Sequence, residues 1–238
     1  MKKMSLIELF IISIFCFFQS VFGVGLLLLG TPTFLLMGYN YFDVLNILLP
    51  YSIIISFFQI VLNNDKNLEF SKKIFQFSIP FLIIGLILVK YLENKINIIF
   101  LVSIILIIFS IINILNLRKN KFKIKKINFS LMILGFIHGL TNLGGILLSI
   151  LSSNISDNKN IIRYNIASGY FIFAIFQILF VNIFYQKINL IYLKFIWIPI
   201  LIFFLSQIIF KKIENILYYK LLNYFTLIYG FYIFFNSF

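Results

Sequence analysis

The chain has 238 residues, 62% hydrophobic and 11% charged, with a mean hydropathy of +1.06 and a formal net charge of +13. Soluble domains are roughly half apolar and a quarter charged, so this composition excludes a water-soluble globular protein. Uncharged stretches at 9–42, 44–64, 97–117, 127–156, 164–186 and 221–238, with shorter ones at 74–89 and 195–210, outrun membrane barrel strands of about 9–11 residues and reach or approach the roughly 20 of a spanning helix.

The expected fold is all-α, a polytopic transmembrane helical bundle of about eight apolar segments. They fall near 5–30, 43–62, 74–92, 96–117, 128–151, 161–185, 189–210 and 214–237. They form one transmembrane domain: a first repeat over 5–117, a basic linker at 118–127 and a second repeat over 128–237, four segments each. Met1-Lys2-Lys3 before the first apolar run resembles a signal-peptide start, but Phe22 is too bulky for a cleavage site and the run continues to Phe42.

The first segment ends in Gly23, Gly25, Gly30 and Pro32. Glycine permits close backbone approach, and Pro32 is expected to stop the helix shortly before it. Freed amides at membrane depth survive only in a protein interior or a polar cavity, where they can cradle an anion. The plainer reading of the glycines is tight helix packing. The second segment opens with Asp43, a helix-capping residue, and carries Asn46, Tyr51 and Gln59. Cys16 is the lone cysteine; it excludes an internal disulfide and reads as an apolar filler.

The linker holds six basic residues and no acid between Arg118 and Lys126, a cytoplasmic-loop signature rather than a nucleic-acid site. With eight full spans and the N-terminus inside, the arrangement expected here, 13 of the 20 basic residues lie on the cytoplasmic side. If the first segment of each half is instead a re-entrant hairpin, the halves are inverted, the N-terminus lies outside and the count is 14 of 20.

After the linker, Gly135 and Gly139 form a small-xxx-small pair that argues for close helix contact. His138, Thr141, Asn142, Gly144 and Gly145 follow, then Arg163, Asn165, Tyr170 and Gln177. At a constant offset of 119 residues, Gln19 falls on His138, Gly23 on Asn142, Gly25 on Gly144, Asn46 on Asn165 and Tyr51 on Tyr170. Paired interruptions at corresponding places in two halves are the best sequence pointer to a transporter's substrate site. The expected substrate-binding residues are Gly23, Gly25, Asn46, His138, Thr141, Asn142, Gly144, Gly145 and Asn165. Arg163 reads either as a bidentate partner for an oxyanion or, in preference, as a cation snorkelling to headgroups. The carboxylates Glu8, Asp43, Asp65, Glu69, Glu93, Asp157 and Glu214 all fall at segment ends or in loops.

There is no P-loop, no His/Cys spacing for a metal and no acid–base constellation, so neither an enzyme nor a cofactor is expected. The paired glycine segments resemble the sulfite exporter TauE/SafE family of membrane transporters, whose halves each carry a motif like Gly-x-Gly-Gly-Gly followed by proline. The first copy keeps Gly23, Gly25 and Pro32, with Leu26 and Leu27 at glycine positions. The second keeps Gly144 and Gly145, with Asn142 for the first glycine and Leu151 where proline would stand. The resemblance implies a multi-pass protein of the cytoplasmic membrane that moves sulfite, sulfonate or a similar anion, in the export direction. The expected partners are that anion, membrane lipid and a proton as coupling ion, with self-association allowed. The alternative is a membrane scaffold subunit that transports nothing.

Overall fold

The structure is a computed structural model that describes residues 5–92, 97–118, 127–185 and 194–236; Glu93, Lys187 and the basic linker from 119 to 126 lie outside them. Among the described residues the regular structure is helical, without strands: α1 (Leu6–Phe22), α2 (Leu26–Leu36), α3 (Tyr41–Val61), α4 (Leu68–Leu92), α5 (Ile98–Arg118), α6 (Ile127–Thr141), α7 (Gly144–Ile155), α8 (Lys159–Tyr185), α9 (Trp197–Lys212) and α10 (Asn215–Phe235). Helices follow from the composition, because in hydrocarbon every backbone N–H and C=O needs a partner within the protein. Of the described helices, α3, α4 and α8 are long and apolar enough to cross a membrane.

The exterior carries large apolar side chains, and polar side chains are buried among the apolar core. Gln19, Ser52, Ser56, Gln59, His138, Asn142, Asn165 and Gln177 are buried, whereas Leu201, Phe204, Leu205, Ile208 and Ile228 point outward. Polar groups inside and apolar groups outside suit a lipid solvent.

Where the sequence suggests single first and fifth segments, the chain forms the pairs α1–α2 and α6–α7, and each pair doubles back. In the first, Ser5 and Glu8 make a reciprocal capping box, and the Tyr39 hydroxyl, just past α2, donates to the Glu8 carboxylate. The end of α2 has therefore returned to the start of α1. Glu8 lies at a segment end as expected, yet it is buried.

In the second pair, α6 runs beside and parallel to α4, with Gly135 against Ser78 and Gly139 against Leu82 and Gly85. After α7, the Asn158 side chain donates to Asp65 in the loop that precedes α4, so α7 also returns to the end where α6 began. Full crossing of the first and fifth segments, with an N-terminus on the linker side, does not describe this path. A hairpin leaves three further helices in each half and places the described start of α1 at the end opposite the linker.

Corresponding helices of the two halves run in opposite directions. Phe42 at the start of α3 stacks on Phe180 and Tyr185 near the end of α8, at 6.2 and 4.2 Å between ring centroids. At the other end, Asn63 Nδ2, two residues beyond α3, donates to Asn160 O in the first turn of α8 at 2.9 Å. The contacts repeat with the halves exchanged: α1 packs on α9 as α6 does on α4, α2 on α3 as α7 does on α8, and α5 on α10. Pro80 of α4 and Pro199 of α9 also stand 119 residues apart.

Candidate functional site

The first break begins where α1 ends. Gly23 adopts φ 76° and its N–H donates to Gln19 O at 2.8 Å, closing the last turn in the left-handed conformation that glycine favours. Gly25 adopts φ 156°, and a Cβ there would stand 2.6 Å from Gln19 N and Phe18 Cβ. Only a bare α-carbon lets the chain reverse so close to the helix it has left. Helix α2 then starts with no side-chain cap.

Pro32 does not end the helix shortly before itself, as its sequence suggests; α2 runs through it to Leu36. The hydroxyls of Thr33 and of Tyr229 on α10 both donate to Leu29 O, at 2.6 and 3.1 Å, one residue beyond Leu28 O, the carbonyl that the proline leaves without a helix N–H.

The second break repeats the first with different residues. Asn142 adopts φ 62°, a left-handed conformation that Asn tolerates better than other side chains, and its N–H donates to His138 O at 2.7 Å. It thus reproduces Gly23 in backbone and hydrogen bond. The Gly144 N–H donates to His138 Nδ1 at 2.9 Å, while the Thr141 hydroxyl donates to Ile137 O and accepts from Leu143 N. Asn142 Nδ2 donates to Thr31 Oγ1 on α2 at 2.9 Å, and Gln177 Nε2 on α8 donates to Asn142 Oδ1 at 3.2 Å. One side chain therefore ties the second break to the first hairpin and to α8.

The two breaks meet against one face of α8. Arg163, Ile166, Tyr170, Phe173 and Gln177 share that face by helical spacing. The Gly23 α-carbon faces Arg163 Cγ and Ile166, each 3.4 Å from where a Cβ would stand, and Val24 reaches to within 2.9 Å of the corresponding point on Gly145. The Tyr170 hydroxyl lies directly over Gly145, and the His138 ring packs on Phe173 at 4.7 Å between centroids. Helices α2 and α7 both start here, so two partial positive charges point into one region.

Seven of the nine expected site residues, Gly23, Gly25, His138, Thr141, Asn142, Gly144 and Gly145, form these breaks. Asn165 is fully buried, but it lies on the side of α8 shared with Gly169, which faces Leu148 and Ile74, and neither of its amide atoms has a hydrogen-bond partner. Asn46 sits on the half-exposed face of α3 with Pro50, Ile53 and Phe57. Arg163 does not snorkel: it is 6% exposed, donates to Gln207 Oε1 at 2.9 Å and to Ser20 O at 3.5 Å, and stacks 3.5 Å over the Phe210 ring. A guanidinium held by an amide, a carbonyl and a ring stays inside. In the first half, Gln19 donates to Ser52 Oγ at 2.9 Å and Gln59 donates to Gln19 O at 2.7 Å, fastening α1 to α3. Sequence reasoning missed Thr31; a hydroxyl one residue before Pro32 in an apolar run is its only signal.

No curated protein and no solved structure matches the chain. The family model described as Sulfite exporter TauE/SafE matches residues 9–233, a span that holds both hairpins and all the residues of the two breaks. Membership makes the chain an integral membrane transporter of sulfur-containing anions. On that match, and with two left-handed helix breaks facing each other inside an apolar bundle, the chain belongs to the sulfite exporter TauE/SafE family.

Proposed function

We propose that the protein is a secondary transporter that carries sulfite, sulfonate or a similar small sulfur anion out across the cytoplasmic membrane. The observation that carries this reading is the convergence of the N-termini of α2 and α7 at the two breaks. Half-helix N-termini aimed at the middle of an inverted repeat are a way for transporters to hold an anion, since each offers a partial positive charge. Arg163 adds a buried cation beside the first break and favours the approach of an anion from its end of the bundle. The site comprises the seven break residues with Arg163, Tyr170 and Gln177; Asn46 and Asn165 are supporting positions on α3 and α8.

Flux of labelled sulfite and of methanesulfonate into proteoliposomes, with and without a pH gradient, tests the reading. Both are expected to move, faster when a proton gradient is imposed. Movement of neither while another anion crosses would overturn the substrate and keep the class; movement of no anion would leave a scaffold subunit. Among the described residues Glu8 is the buried carboxylate, so acceleration by the gradient directs attention to it.

The hairpin path matches the arrangement that leaves 14 of the 20 basic residues on the linker side, which we take as cytoplasmic. Asn64 and Asn236 are exposed at opposite ends. With Asn236→Cys, a membrane-impermeant maleimide is expected to label intact cells; with Asn64→Cys, it should label only after permeabilisation. Cys16 is buried and contributes little background. The reverse pattern would place the linker outside.

A further inference from the structure

We propose that the Tyr170 hydroxyl and the Nε2–H of His138 are the direct ligands of a singly charged sulfur oxyanion, a hydrogensulfite or an alkylsulfonate, held at the N-terminus of α7. The proposal rests on the transport reading above and names the groups and the charge state.

Both side chains are fully buried, and both polar atoms, Tyr170 Oη and His138 Nε2, have no hydrogen-bond partner within the protein. Their neighbours at the second break are engaged with one another: Thr141 with Ile137 and Leu143, Asn142 with Thr31 and Gln177, and the Gly144 amide with His138. A backbone amide can only donate, so His138 Nδ1 is the acceptor and the neutral ring carries its proton on Nε2. That nitrogen is therefore a buried donor with no well-formed hydrogen bond; the Gln177 side chain, whose Oε1 is likewise unpaired, lies beside it. The two rings lie 5.8 Å apart between centroids, and the tyrosine oxygen rests on Gly145, the second residue of α7. Buried donors are normally satisfied, and orphans of this kind mark the place of a group that the protein binds.

The chemistry of the cluster limits the charge of that group. Its donors are neutral, and the third orphan, Gln177 Oε1, is an acceptor that opposes a second negative charge. The N-termini of α2 and α7 contribute roughly half an elementary charge each, about one in total. Desolvation grows with the square of the charge, so a dianion loses far more than this cluster returns. Arg163 stands seven residues earlier on the same face, but its guanidinium turns to Gln207 and Phe210 on α9, at the approach to the cluster.

The test is anion binding to purified protein, read as a shift in thermal unfolding. The probes are methanesulfonate, a permanent monoanion, and sulfate, a permanent dianion, against chloride at equal ionic strength. Methanesulfonate is expected to stabilise the wild-type protein saturably, and sulfate no more than chloride. Tyr170→Phe should unfold, without ligand, at the wild-type temperature or higher, because the hydroxyl has no partner to lose. It should bind methanesulfonate roughly tenfold more weakly, equivalent to about 1.4 kcal/mol. His138→Gln, which places the residue of the first half in the second, should weaken binding to a similar degree. Wild-type affinity in both variants, or sulfate bound as tightly as methanesulfonate, overturns the proposal. If Tyr170→Phe also sustains wild-type sulfite flux, the transport reading stands without these ligands. A wild-type protein that neither binds nor moves any sulfur oxyanion takes down both.

Discussion

Gly135→Ala is expected to remove most of the protein that leaves the membrane in detergent as a single monodisperse species, and Gly139→Ala to act in the same way. A Cβ at Gly135 would enter the van der Waals shell of Ser78 O, and one at Gly139 that of Leu82 O. Both obstacles are backbone atoms of α4, so relief requires the whole helix to move. Overpacking costs about 1–3 kcal/mol and occasionally more, out of a total stability that is usually about 5–15 kcal/mol. Gly38→Ala is the control, because its φ of 84° carries strain while no atom lies within 4 Å of the added carbon. Size-exclusion profiles of the three variants should show Gly38→Ala close to wild type. Equal profiles for all three would mean that α4 and α6 are not held this closely.

Asn142 is the second position of large effect, and two replacements separate its two roles. Asn142→Gly keeps the left-handed turn but removes the bonds to Thr31 and Gln177, leaving both buried groups without that partner. The protein should fold, with stability reduced by about 1–3 kcal/mol for each orphaned group and with transport lost. Asn142→Leu adds backbone strain of about 1–2 kcal/mol at a φ of 62°, so the folded fraction should fall much further. Thermal unfolding of purified protein gives the comparison. If the leucine variant were as stable as the glycine variant, the left-handed turn would not be a requirement of the break.

The apolar segments were readable from the sequence because hydrocarbon leaves a helix as the only economical backbone, and both breaks were readable because glycine and asparagine share a tolerance for positive φ. The hairpins were not readable: counts of 13 and 14 basic residues on one side differ by less than the charge rule can resolve. The network of Thr31, Asn142 and Gln177 joins residues 111 and 35 positions apart, a closeness that no local pattern encodes. Pro32 misled because a proline's local effect is known, while the burial of α2 around it and the bond from the Tyr229 hydroxyl of the last helix to Leu29 O are not local. Arg163 misled for a similar reason, since Gln207 and Phe210 lie on α9 and give its charge an interior alternative to the headgroups.

The seam between α4 and α6 is backbone laid on backbone, whereas its counterpart between α1 and α9 contains no glycine on either side. Sliding along the first seam must break many close contacts at once; sliding along the second exchanges one set of side-chain contacts for another. The molecule is thus stiff on one flank and yielding on the other. A stroke that exposes the meeting point of the breaks to alternate sides of the membrane meets less resistance where the first hairpin moves and the second serves as its anvil.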